Sequence, residues 1–222
     1  MLWYNLGKDV EAFSTERNDT LPYEVVQAHQ KHSAEVAVID RLGVTREELE
    51  GIDALVTNCP GVAIGVRTAD CIPVLLYDPV CRVVAAIHAG WRGTVADIPS
   101  AAIRVMMQRF GSRPANLVAQ IGPGIGADSF QVGEEVVTAF AEAGFPLSLI
   151  HTFRGARVDG SMAEGHHLDL WLANRWLLER AGVPSASIQI ASICTYLSND
   201  RFFSARREGI KCSRIISSIR ML

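Results

Sequence analysis

Apolar residues crowd the first half of the chain in short runs and spread into spaced stripes in the second. The runs at 53–57, 62–66, 72–77 and 83–87 are five or six residues long and punctuated by Gly, Pro or Asp. That length and punctuation predict buried strands rather than helices. Pro73 falls near the opening of its run, where a strand tolerates a missing N–H. Further strands are predicted at 36–39, 117–121, 188–193 and 215–219.

The helical stripes come later. Pro99 and Gly111 bracket a helix over 101–110, proline in the first turn and glycine as the C-terminal cap. Residues 133–143 read as a helix ended by Gly144. Along 168–181, Leu170, Ala173, Leu177 and Ala181 make one apolar stripe, closed by Gly182-Val-Pro184. Thr45-Arg-Glu-Glu48 has the form of a capping box and predicts a short helix stopping near Gly51. Residues 145–167, with His151, Gly155, Gly160 and Gly165, read as an irregular connection that leaves His166 and His167 exposed. Strands gathered early and helices later favour an α+β fold with mixed sheets over a strict βαβ repeat.

A length of 222 residues suits one catalytic domain, 1–222, and is short for two. Hydrophobic residues make up 49% and charged residues 20%, enough to bury a real core and to exclude a disordered chain. The net charge of −3 comes without a basic block, so no nucleic-acid partner is expected. No window supplies the roughly 20 apolar residues of a membrane span. The first ten residues lack a signal-peptide pattern, so the expected location is cytoplasmic. Five widely spaced cysteines without a Cys-x-x-Cys pair suggest free thiols, core residues or metal ligands rather than disulfides.

Cys71 stands between two predicted strands in Arg67-Thr-Ala-Asp-Cys71, and His88 ends the second. If those strands pair antiparallel, Cys71 and His88 meet at one sheet edge. A Cys–His pair permits two chemistries, a nucleophilic thiolate or metal ligation. Ala28-His29-Gln30-Lys31-His32 offers two candidates for a third ligand. Three protein ligands with an open fourth position is how a catalytic zinc site is built. After His88, the turn His88-Ala-Gly-Trp-Arg-Gly93 leads into a helix, so backbone N–H groups and Arg92 form a candidate anion site.

Taken together, Gln30-x-His32, Thr68-Ala-Asp-Cys71-x-Pro73, His88-Ala-Gly-Trp-Arg-Gly93, Gly122-Pro-x-Ile-Gly126, Leu168-Asp-Leu170, Cys194-Thr195 and Phe203-Ser-x-Arg-Arg207 occur in an ordered set. The set resembles the polyphenol oxidase/laccase-domain family, also described as bifunctional purine nucleoside phosphorylase and adenosine deaminase. The likeness runs from about residue 25 to 222. It implies a zinc site on His32, Cys71 and His88, with copper as the alternative metal. It implies phosphorolysis of adenosine, inosine, guanosine and methylthioadenosine, with phosphate as co-substrate, and deamination of adenosine. The implied fold has mixed β-sheets layered with helices (α/β/β/α-like), as in the catalytic domain of a deamidating toxin. One departure is Ser33 where the family pattern has Gly after the first ligand, which keeps His29 open as an alternative.

For such an enzyme, phosphate is expected against Gly90, Arg92 and Gly93, with Arg206 as a further contact. Gly124 is expected to wall the nucleoside pocket, and Asp70 to orient a ligand histidine. Partners are then small molecules, on a monomer or homodimer. Two other enzymes remain: a copper polyphenol oxidase, opposed by six histidines without any His-x-His pair, and a metal-free Cys71–His88 hydrolase. A non-enzymatic structural zinc domain would need a fourth ligand, from Cys194 or the second histidine of the 29/32 pair.

Overall fold

The computed structural model describes residues 1–41, 43–155 and 164–222. One sheet contains Leu2–Tyr4 (β1), Val10–Ser14 (β2), Val26–Gln27 (β3), Ile64–Thr68 (β6) and Ile215–Met221 (β14), in the order β1-β2-β14-β6-β3. A second contains Val36–Val38 (β4), Ala54–Thr57 (β5), Ile72–Asp78 (β7), Val83–Ala89 (β8), Val118–Ile121 (β9) and Ile188–Ile190 (β13), in the order β13-β9-β7-β8-β5-β4. A small third sheet joins Gln131–Val132 (β10), Gly165–Leu168 (β12) and His151–Arg154 (β11). The α-helices are Trp91–Val95 (α1), Ile98–Phe110 (α2), Glu134–Glu142 (α3), Leu147–Ile150 (α4), Leu170–Arg180 (α5) and Ala205–Glu208 (α6). The two larger sheets are mixed: β3–β6, β4–β5 and β9–β13 pair in parallel, and the other strand pairs, including both in the small sheet, are antiparallel. The architecture is α+β, as expected.

The six-stranded sheet is the middle layer. On one face Val74, Leu76, Ala85 and Ile87 pack with Ile98, Ala102 and Met106 of α2 and Ala173 and Leu177 of α5. On the other, Leu75, Tyr77, Val84 and Ala86 pack with Ala12, Ile64, Val66 and Ile219 of the five-stranded sheet. Covered on both sides, β7 and β8 are buried at every position, which is why their sequences read as unbroken apolar runs. Their antiparallel register pairs Ile72 with Ala89 and Pro73 with His88, so the residue before β7 and the end of β8 share one sheet edge. On the other side of β8, Ala54 pairs with Ile87, and the His88 amide donates to the Asp53 carbonyl at 2.8 Å.

Three local expectations are corrected. The Thr45–Glu48 capping box forms, with the Thr45 amide on Glu48 Oε2 (2.8 Å) and the Glu48 amide on Thr45 Oγ1 (3.3 Å), yet it closes a turn instead of a helix. So few residues before Gly51, which sits at φ +79°, cannot offset the cost of helix nucleation. The stretch expected to be irregular from 145 to 167 contains α4, β11 and β12; Gly160 and the rest of 156–163 lie outside the described residues. His166 and His167 are strand residues, His166 bonded to His151 Nε2 at 2.8 Å and His167 buried against the Ala127 carbonyl. Strands β1 to β3 went unread, since pieces of three, five and two residues carry too little periodicity.

Candidate metal centre

Cys71 is delivered by the turn into β7, His88 by the end of β8, and His32 by the loop after β3. The loop is fixed by two side chains. The Gln30 amide donates to the Arg67 carbonyl (2.9 Å) and accepts from the Arg67 amide (2.8 Å), tying the loop to β6. The Asp53 carboxylate accepts from the amides of Lys31, His32 and Ser33 at 2.8–3.0 Å. These bonds hold His32 in the left-handed region, φ +60°, an unusual conformation for a non-glycine residue. Ser33 is accommodated without loss: its hydroxyl reaches the Gly51 carbonyl and Asp53 Oδ2 at 2.7 and 2.8 Å.

One donor atom from each of His32, Cys71 and His88 lies within 4.8 Å of the others. His32 Nε2 stands 3.7 Å from Cys71 Sγ, and the two imidazole centroids are 4.8 Å apart. A tetrahedral zinc with usual bond lengths separates sulfur and nitrogen ligands by about 3.6 Å, so the donor set fits the ion. Gly90 leaves the room: a Cβ there would stand 2.7 Å from His32 Cδ2 and 3.1 Å from Cys71 Sγ. Among the described residues neither His29 nor Cys194 joins the group. His29 instead pairs through Nδ1 with Glu50, and Cys194 Sγ accepts from the Gly126 amide.

Asp53 also bonds His88 Nδ1, at 2.6 Å, leaving Nε2 to face the sulfur. Burial raises the Asp53 carboxyl, but hydrogen bonds from His88, Ser33 and Lys31 outweigh it and hold the group at about 2. Burial likewise pushes the Cys71 thiol up, and the charge of His88 with hydrogen bonds from both histidines brings it down to about 6. His88 moves the other way: burial disfavours its charge, while Cys71 and Asp53 raise it to about 9. Both shifts run in the direction that favours a thiolate beside an imidazolium when no metal is bound.

Asp53 was missed from sequence. Its signal was a lone carboxylate opening the short run Ala54-Leu-Val-Thr57, next to the strand that carries His88. Asp70, the expected orienting carboxylate, touches no ligand histidine; it accepts from Thr195 Oγ1 (2.6 Å) and the Arg206 amide (2.7 Å), holding the turn before Cys71. Asp169 caps α5 by accepting from the Leu172 amide, a structural role.

Of the residues nominated for substrate, Gly90 lies against the donors, while Arg92, Gly93, Gly124 and Arg206 do not line the cavity that opens on them. A cavity of about 530 Å³ opens on His32, Cys71 and His88, and Arg92 does not line it. The Arg92 guanidinium lies over the Trp91 ring, 4.2 Å from its centroid. Gly93 faces the Ser33 carbonyl, where a Cβ would come within 3.2 Å. Gly124 packs behind the site: a Cβ there would stand 2.4 Å from Ile72 Cδ1 and 2.9 Å from the Asp70 carbonyl. The Arg206 side chain turns to the Gln131 carbonyl, 3.0 Å away.

The fold and this donor set define a laccase-domain protein: residues 9–222 match the family model described as multi-copper polyphenol oxidoreductase laccase, and the chain belongs to that enzyme family. Among curated relatives, it is 43% identical to a purine nucleoside phosphorylase of Bacteroides thetaiotaomicron, over 94% of this chain and 80% of that one. Adenosine deaminase RL5, from an unknown prokaryotic organism, is also 43% identical, over 88% of this chain and 74% of its own. Among solved structures, the Bacillus licheniformis hypothetical protein YfiH superposes with a TM-score of 0.79 at 31% identity, covering 89% of this chain and 74% of that one. YlmD from Geobacillus stearothermophilus shares the fold, with a TM-score of 0.82 at 24% identity over 100% of this chain and 96% of that one.

Proposed function

We propose that the protein is a zinc-dependent purine nucleoside phosphorylase, acting on adenosine, inosine, guanosine and methylthioadenosine, with adenosine deaminase activity. The observation that carries this reading is the convergence of His32, Cys71 and His88 beside a cavity of about 530 Å³. The names of the relatives support the reaction class. Those three residues would hold the ion, which supplies a Lewis acid that polarises a substrate oxygen or lowers the pKa of water. Asp53 keeps the His88 ring in one orientation and the His32 loop in one conformation, so the three donors are in place before substrate arrives. In phosphorolysis a phosphate oxygen bonds to the glycosidic carbon as the carbon–nitrogen bond breaks. The electron pair leaves with the base, which takes up a proton. In deamination water adds to the purine carbon bearing the amino group, and ammonia leaves. No helix among the described residues is long and apolar enough to cross a membrane, which accords with a cytoplasmic enzyme.

A second reading has its own observation. The thiolate–imidazolium pair of Cys71 and His88 is the arrangement of a metal-free Cys–His hydrolase. The copper oxidase reading has less support, because the described residues gather one three-ligand group whereas a multicopper cluster needs many histidines. Elemental analysis of protein purified without added metal, paired with incubation in adenosine and phosphate, separates the three. Zinc with release of adenine and ribose-1-phosphate, or of inosine, above a Cys71→Ala control is the expected result. Copper with phenol oxidation, or amide cleavage abolished by thiol alkylation, would replace the nucleoside reading.

A further inference from the structure

The cavity beside the three donors carries more positive charge than metal ligation requires. Arg46, Arg67, Lys211 and Arg214 line it, and among the described residues no aspartate or glutamate does. Among the described residues none of these four forms an ion pair with a carboxylate. Arg46 Nε reaches the Ala28 carbonyl at 3.3 Å, and the Arg214 guanidinium reaches the carbonyls of Cys212, Ser213 and Ile210. Those contacts position the cations without neutralising them. Arg67 is half-buried, and burial together with the charges of Arg46 and Arg214 lowers its affinity for a proton. Like charges gathered around one cavity repel, and an anion between them reverses the sign of that interaction.

The placement is also rigid. The Gln30 amide that holds the His32 loop clamps the backbone of Arg67, so the cation and the donors keep a fixed relation.

We propose that Arg46, Arg67, Lys211 and Arg214 form the subsite for a phosphate dianion facing His32, Cys71 and His88. The role of this subsite as the seat of the attacking co-substrate rests on the nucleoside reading above; the binding itself does not. A tetrahedral phosphate dianion can come from inorganic phosphate or from the phosphoryl group of a nucleoside monophosphate, and both offer the oxygens that guanidinium forks pair with.

The test is calorimetric titration of the protein as purified with inorganic phosphate, and separately with adenosine monophosphate. It is run on the parent, Arg67→Gln, Lys211→Gln and Arg92→Gln. Arg67→Gln and Lys211→Gln are each expected to weaken phosphate binding by about tenfold, the loss of one charge-assisted hydrogen bond. Lys211 is exposed, so its substitution leaves the fold intact even if that of Arg67 does not. Phosphate binding tighter than that of the monophosphate identifies the free ion as the ligand. Tighter binding of the monophosphate, with displacement of phosphate, identifies the nucleotide, and either result supports the subsite. No phosphate binding by the parent, affinity unchanged in both variants, or loss confined to Arg92→Gln would overturn it. Titration needs no turnover, so phosphate binding without adenine release sinks the nucleoside reading alone. Adenine release with an unaltered phosphate KM in both variants sinks the subsite alone.

Discussion

Asp53 serves five donors at once: His88 Nδ1, the amides of residues 31–33 and the Ser33 hydroxyl. Asp53→Asn replaces one accepting oxygen with a donor and releases either the ring or the loop. Partners of this kind typically contribute 10–100-fold to metal affinity, so zinc retention against a chelator should drop by about that factor. Circular dichroism should stay close to that of the parent. The Cys71–His88 pair makes a second expectation. A thiol lowered to about 6 is ionised above that pH, so alkylation of metal-stripped protein should rise through pH 6 and level off. An ordinary thiol rises near 9 instead. Alkylation of Cys71 that climbs only above pH 8 would show that His88 does not share its charge with the sulfur.

At the scale of elements, the site exists because β7 and β8 pair antiparallel and bring their ends together, with β5 next in the sheet carrying Asp53. The loop 122–126 supports this edge from behind: the Ile125 amide donates to the Asp70 carbonyl at 2.8 Å, and the Gly124 carbonyl accepts from Thr195 at 2.9 Å. Gly124→Ala inserts a methyl 2.9 Å from the Asp70 carbonyl, which belongs to backbone that cannot swing aside. Overpacking of this kind costs about 1–3 kcal/mol. Urea unfolding should show that loss, accompanied by lower zinc content since Cys71 follows Asp70. The helices α2 and α5 do none of this positioning directly. They cover the far face of the sheet, and their stripes were readable because a single apolar side suffices for that task.

Across the whole molecule, the segment after β2 is tied to the segment around α6 by charge. Arg17 pairs with Glu208 at 2.6 Å and Arg201 with Glu16 at 2.8 Å, over separations of more than 180 residues. The Arg17 hydrogen bond holds the Glu208 carboxyl at about 2, and the Arg201 hydrogen bond does the same for Glu16. A carboxyl depressed in the folded state stabilises it above its ordinary pKa of about 4.5, and that contribution is lost as pH falls towards 2. These pairs are partly solvated, so each contributes about 0.5–1 kcal/mol. Glu208→Gln should therefore lower stability at pH 7 by that amount and leave it unchanged at pH 2, measured by denaturant unfolding at both values.

The amino-acid sequence by itself determined the strands that are buried on both faces, the capped helices and the α+β class, and it nominated the three side chains that converge at the candidate metal centre. Each of those is written locally, as an apolar run, a cap or a motif. The short strands β1 to β3, the carboxylate at Asp53 and the cationic wall of the cavity were decided by tertiary structure alone. Arg46, Arg67, Lys211 and Arg214 come from distant parts of the chain, so no spacing announces that they share one space. Asp53 meets His88 only because β5 lies against β8, and sequence patterns record which face a residue takes, not which strand becomes its neighbour.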